Sequence, residues 1–236
     1  MKGSHCLICN EEIEAILSWN TLFGKEEKEP KICGECNENF ERITGEVCEI
    51  CGRPFAFLKA EYRVENLCFD CKRWEEDVHW SGSLDQNRAL YRYTDFAKDV
   101  MAKFKFRGDY VLAEVFAEGL CQALQSFQYD YIVPIPLSEE RLHERGFNQA
   151  EALITTAGFK PTNMLSRVHT EKQSKKSRSE RIDLQQVFKF DTDQNLNSKT
   201  ILLIDDIYTT GSTLRHAAKI LKENGAAKVY SFTLAR

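Results

Sequence analysis

No run of apolar residues in this 236-residue chain approaches the ~20 that a membrane-spanning helix requires. The first residues, MKGSHCLICNEE, also lack the apolar centre of a secretory signal. Together these absences lead to the expectation of a cytoplasmic protein. Two nucleotide-binding fingerprints are missing as well. No Gly-Lys-Ser/Thr closes a Walker-type loop, and the glycine spacing of a dinucleotide fold does not occur. Nor is there an overall excess of positive charge, with 32 Lys and Arg against 36 Asp and Glu. No internal repeat is visible beyond the first third of the chain, although the cysteine pairs there could be a duplicated knuckle.

What the sequence does have is cysteine. Eight of its nine cysteines form four C-x-x-C pairs: Cys6/Cys9, Cys33/Cys36, Cys48/Cys51 and Cys68/Cys71. A reducing compartment disfavours structural disulfides, so clustered pairs read as metal ligands. Tetrahedral zinc needs four soft ligands, which two such knuckles supply when a loop brings them together. The 16 residues between Cys51 and Cys68 fit the common ribbon spacing, and the 23 between Cys9 and Cys33 are looser but workable. The expectation is two structural Zn2+ sites with the pairs taken in sequential order, an interleaved order being the alternative. Cys121 lies in an apolar helical pattern and is expected in the core.

Composition changes near residue 80. Residues 1–80 carry 10 Lys and Arg against 17 Asp and Glu, formally −7, and residues 81–236 carry 22 against 19, formally +3. The first part has turn signals and little means of making a core alone, so we read a zinc-binding module over 1–80 and a main domain over 81–236. A polyanion would more readily meet the second. There, helical spacing over 95–106, 111–127, 148–157 and 212–224 alternates with strand candidates at 131–136, 164–168, 187–190, 200–204 and 228–234. That alternation implies an α/β fold with a mainly parallel sheet.

The most informative stretch is ILLIDDIYTTGST, residues 201–213. An apolar strand running into Asp205 and Asp206 places both carboxylates at its carboxyl end, where open parallel sheets bind ligands. Thr209, Thr210, Gly211, Ser212 and Thr213 then open a helix with little side-chain bulk. Free amides and hydroxyls at such an end form a phosphate cradle. Two adjacent acids suit vicinal hydroxyls and a divalent cation, so a sugar phosphate fits the whole. Asp and Thr also serve as plain helix caps and turn formers, but adjacent carboxylates repel each other, a cost usually retained for binding.

LLIDDIYTTGST resembles the phosphoribosyl-pyrophosphate (PRPP) signature of type I phosphoribosyltransferases. The resemblance implies that Asp205 and Asp206 hold the ribose hydroxyls at the catalytic centre, that Thr209 to Thr213 hold the 5-phosphate, and that Mg2+ accompanies PRPP. Taken with VPIPLSEERLHERGFNQA at 133–150, EKQSKKSRSER at 171–181 and the cysteine pairs, nearly the whole chain is similar to the ComF family of competence proteins. That similarity implies a part in DNA uptake during natural transformation, with single-stranded DNA, the competence DNA translocase helicase and other competence proteins as partners. By the same resemblance Arg145 lies near the pyrophosphate loop, with Arg141 a second candidate or merely part of a solvated helix face. The basic stretch holding Lys172, Lys175 and Lys176 resembles the loop that closes over pyrophosphate. It could equally track a nucleic-acid backbone or be a solvated loop. Lys103-Phe104-Lys105-Phe106-Arg107 interleaves cations with aromatics, which suits base stacking or, with Phe104 inward, a helix end.

Overall fold

The computed structural model describes residues 4–13, 30–106, 109–168 and 187–236. Among these the cysteine-rich part supplies a short helix α1 (Gly34–Glu38), a two-residue hairpin of β1 (Arg63–Val64) and β2 (Leu67–Cys68), and α2 (Phe69–Glu76). The main domain follows with β3 (Gln86–Tyr91), α3 (Asp95–Phe106), α4 (Ala113–Leu124), β4 (Tyr131–Pro134), α5 (Glu139–Arg145), α6 (Gln149–Thr156), β5 (Leu165–Arg167), β6 (Phe188–Phe190), β7 (Thr200–Ile207), α7 (Ser212–Glu223) and β8 (Lys228–Ala235).

The central sheet has the order β3-β8-β7-β4 with every neighbouring pair parallel, as the alternation of elements requires. The two inner strands, β7 and β8, are buried on both faces, which explains the unbroken apolar run at 201–204. The pleat sends Leu202 and Ile204 into one core with Phe104, Phe116, Leu120 and Leu153. It sends Ile201 and Leu203 into another, with Leu214, Ala217, Leu221 and Phe188. Helix α3 forms because Ala97, Val100, Met101 and Phe104 repeat at helical spacing, with Asp95 in its first turn and Lys103 and Lys105 in its last complementing the helix dipole. β5 and β6 pair antiparallel as a separate ribbon.

β3 is the strand least visible in the sequence, because Asn87 and Arg88 interrupt its apolar character. Asn87 is nonetheless fully buried; its side chain donates to the Cys51 carbonyl at 3.1 Å and accepts from the Ser231 hydroxyl at 2.8 Å. Elsewhere the differences are small. β4 stops at Pro134, the helix expected from 111 begins at Ala113 after a 3-10 turn, and Cys121 is half-buried at the core margin.

The change of composition at residue 80 is not a break in packing. Phe40 sits 4.6 Å from Tyr91, 5.0 Å from Phe96 and 5.7 Å from Phe116, centroid to centroid. The outer edge of β3 is covered by the cysteine-rich part: Ile43 N–H donates to the Leu90 carbonyl at 2.9 Å and Arg92 N–H to the Glu41 carbonyl at 2.8 Å. This cover protects an edge that would otherwise be open to pairing. Gly52, in the turn of the Cys48/Cys51 pair, has φ +70° and would press a Cβ within 3.0 Å of the Asn87 carbonyl, so only glycine lets the knuckle approach the strand.

This shared packing makes a prediction opposite to that of a freely separable module. Stripping metal with a strong chelator should lower the melting temperature of the whole chain, followed by circular dichroism of the sheet, by roughly 10 °C. An unchanged sheet transition would mean that the two parts melt independently.

Candidate functional site

Two groups of four cysteines come together, in sequential order: Cys6, Cys9, Cys33 and Cys36, and Cys48, Cys51, Cys68 and Cys71. Within each, the sulfurs lie within 4.8 Å of one another. A tetrahedral metal with ~2.3 Å bonds to sulfur has edges of about 3.8 Å. The Cys9–Cys33 sulfur separation is 3.7 Å and the Cys51–Cys68 separation 3.6 Å, which fits that tetrahedron and is far too long for a disulfide. Backbone N–H groups support the sulfurs, Cys36 N–H donating to Cys33 Sγ at 3.4 Å and Cys68 N–H to Cys48 Sγ at 3.3 Å. Both groups could hold a metal ion. The second is wholly buried, whereas Cys9 in the first is exposed.

The acidic pair lies inside β7, one turn of the pleat beyond the expected strand end. Asp205 pairs in register with Thr233, and the strand runs on to Ile207. Alternation along the strand turns Asp206 toward α3, where Lys105 Nζ meets its carboxylate at 2.9 Å, and Asp205 toward the opposite face. Asp205 Oδ1 accepts from Asp206 N–H at 2.9 Å. Burial, and then the charge of Asp206, push Asp205 up to about 7, while Lys105 and Arg145 pull it back. The field of Asp205 also reaches Arg167 on β5.

After β7 the chain turns over a buried aromatic ring. Gly211 has φ +83°, and a Cβ there would strike the Tyr208 ring, so this position excludes every other residue. Helix α7 starts at Ser212, whose N–H donates to the Thr210 hydroxyl at 3.3 Å, but Gly211 at the cap has no side chain and the first turn has no acidic residue, so no negative charge compensates its N-terminal partial charge. Thr209, Thr210 and Thr213 are exposed at this end and Ser212 is half-buried.

Arg145 is the last residue of α5, with Gly146 at φ 78° closing that helix. Its Nη1 donates to Gln149 Oε1 at 2.8 Å, and its Nε is buried without a hydrogen-bond partner among the described residues. Asn148 caps α6 and donates to the Ile135 carbonyl at 3.0 Å. The Gly-Phe-Asn-Gln stretch is therefore structural, and it holds Arg145 at the same edge as Asp205. Phe104 is buried and Phe106 is exposed, as a helix end with one ring inward requires. Lys172, Lys175 and Lys176, with the rest of the basic stretch, lie outside the described residues. Sequence reasoning missed Lys105 as an acid's partner and Arg167 altogether. The first was visible only as a cation in an aromatic run, and the second had no local signal.

A model of the phosphoribosyl transferase domain matches residues 145–236. Competence protein ComFC of Bacillus subtilis (strain 168) is 40% identical over 236 residues, covering 98% of this chain and 94% of the relative. The chain belongs to the ComFC family of competence proteins. Another member, ComFC of Streptococcus pneumoniae (strain ATCC BAA-255 / R6), is 36% identical over 231 residues, covering 98% and 99%. Competence protein F of Haemophilus influenzae is 25% identical over 220 residues, covering 87% and 90%. No helix among the described residues is long and apolar enough to cross a membrane.

The raised Asp205 carries a pH signature. An acid whose folded pKa lies above its unfolded value holds its proton more tightly when folded, so its contribution to stability falls as pH rises from about 4 to about 7. Because Asp205 is half-shielded, the effect is a fraction of the full burial cost. Asp205→Asn should gain on the order of 1–2 kcal/mol over the ligand-free parent at pH 8 and almost nothing at pH 4, read from urea unfolding.

Proposed function

We propose that this protein binds PRPP or a closely related sugar phosphate at the carboxyl edge of β7 and acts in the uptake of DNA during competence. The observation that carries the reading is the uncompensated N-terminus of α7, reached through a loop that only Gly211 allows, directly after two carboxylates. Thr209, Thr210, Gly211, Ser212 and Thr213 hold the 5-phosphate through amides and hydroxyls. Asp205 and Asp206, on opposite faces of the end of β7, are assigned to the ribose hydroxyls, and Arg145, with Lys172, Lys175 and Lys176, to the pyrophosphate. A bound Mg2+ supplies positive charge between the acids and the phosphates. Asp205, poised near neutrality, loses its proton as cation and ligand arrive, and Lys105 pairs with Asp206 and orients it until then. The relatives' names support the competence role, and the two cysteine groups fit structural Zn2+.

Single-stranded DNA meets the main domain and not the acidic first third. Docking on the competence DNA translocase helicase and other competence proteins falls to the cysteine-rich part, in a cytoplasmic setting. A second reading, an active phosphoribosyltransferase, is favoured by the cations Arg145 and Arg167 whose fields reach Asp205. In it a nucleophile attacks the anomeric carbon and pyrophosphate leaves, with the nearby carboxylates stabilising the developing positive charge on the sugar.

Calorimetric titration with PRPP and Mg2+ tests the first reading, with binding expected for the parent and a loss of at least about 100-fold in Asp205→Asn/Asp206→Asn, as for two removed charged contacts. No binding by the parent would sink it. Release of pyrophosphate from PRPP that depends on an added acceptor and disappears in the double variant would replace it with the enzyme.

A further inference from the structure

Arg236 joins the buried cysteine group to the phosphate loop, and Trp74 ties the adjoining helix to the same loop. Arg236 Nη2 donates to Cys51 Sγ at 3.2 Å, while its Nη1 donates to the Thr209 carbonyl at 3.2 Å and the Tyr208 carbonyl at 3.4 Å. Its guanidinium lies 4.7 Å from the Tyr208 ring centroid. On α2, which begins directly after Cys68 and contains Cys71, Trp74 Nε1 donates to the Thr210 carbonyl at 3.3 Å. Three successive carbonyls of the loop are thus drawn toward the cysteine-rich part.

A planar trans peptide points its C=O and N–H in opposite directions, and no described peptide is cis. Drawing the carbonyls of residues 208, 209 and 210 toward the cysteines therefore turns the N–H groups of Thr209, Thr210 and Gly211 the other way, away from them. Those are amides of the cradle assigned above. The anchor does not drift, because α2 is itself fixed on α7: Glu75 pairs at 2.8 Å with the fully buried Arg215, whose guanidinium lies 5.1 Å from the Trp74 ring. Four thiolates around a divalent ion carry a net charge of −2, and Arg236 is the guanidinium that reaches one of the sulfurs.

We propose that Arg236 and Trp74 are positioning residues which aim the loop's amides at phosphate, and that Arg236 couples the Cys48/Cys51/Cys68/Cys71 metal site to the loop. The fork geometry of arginine is essential, since one arm serves the sulfur and the other the carbonyls. By linkage, ligand in the loop and hydrogen bonding at Cys51 report on each other. The affinity consequence rests on the phosphate assignment; the positioning of the loop does not.

The test uses the full chain loaded with cobalt(II), whose thiolate-to-metal absorption band responds to hydrogen bonds at sulfur. Backbone exchange over residues 209–213 is followed by mass spectrometry, and Mg2+·PRPP is titrated calorimetrically. Arg236→Met should keep two cobalt ions yet shift the band, speed exchange in the loop about tenfold with β7 and β8 unchanged, and weaken PRPP binding about tenfold, the scale of an outer-shell loss. Arg236→Lys, which keeps the charge without the fork, should restore little. Trp74→Phe should speed loop exchange and leave the band in place.

An unmoved band together with unchanged loop exchange in Arg236→Met would overturn the proposal. Should that variant fail to hold metal, unchanged loop exchange in Trp74→Phe would overturn it instead. Parent protein that binds no PRPP, while the band and exchange shift as described, would sink the phosphate assignment and uphold the positioning role.

Discussion

Four sulfur atoms sealed from water within a few ångströms of each other are the constraint on which the rest depends. Cys48, Cys51, Cys68 and Cys71 are all buried, and thiolates so close cannot share a dry site without a cation between them. Filled, the site makes a rigid corner from two turns, beside which Ile50, Phe55 and Leu67 pack. It then enters the same core as Leu203, Leu214 and Phe188, so a metal-held knuckle completes one face of the sheet. The other cysteine group does the corresponding task on the opposite face, where Cys6, Cys36 and Phe40 join Phe104 and Phe116. Its exposed Cys9 makes it the more accessible of the two.

The functional edge is built against this frame. β7 delivers two carboxylates to the end of the sheet, and the pleat separates them, giving Asp206 a lysine partner and leaving Asp205 near its titration point. The loop that follows is short of side-chain bulk because its backbone is its working part. A buried Tyr208 lies beneath Gly211, and its ring lies beside the guanidinium that reaches Cys51. Recognition and scaffold are thus in contact, which is physically sensible for a loop whose amides must hold still to bind an anion.

What could be read from the sequence follows from how far each signal reaches along the chain. The C-x-x-C spacings and the strand–acid–glycine–helix series are local, so their grouping and their place at the sheet edge were legible. Helices with apolar residues at regular spacing, such as α3, were legible within a residue or two. β3 was hidden because its buried polar residue, Asn87, is satisfied by partners distant in sequence. Lys105, Trp74 and Arg236 were illegible for the same reason. A single cation or indole has no periodicity, and its role is set by a partner as far as 185 residues away.

A metal in the buried cysteine group would be the element from which the loop's geometry and the shared cores follow. Native mass spectrometry of the full chain, purified under reducing conditions without added metal, tests it most directly. Two zinc ions per chain, with all eight paired cysteines protected from alkylation until the metal is removed, is the expected result. A chain that flies without metal, folded and with those cysteines free to react, would contradict the view that a metal–thiolate corner holds the sheet and its ligand loop in place.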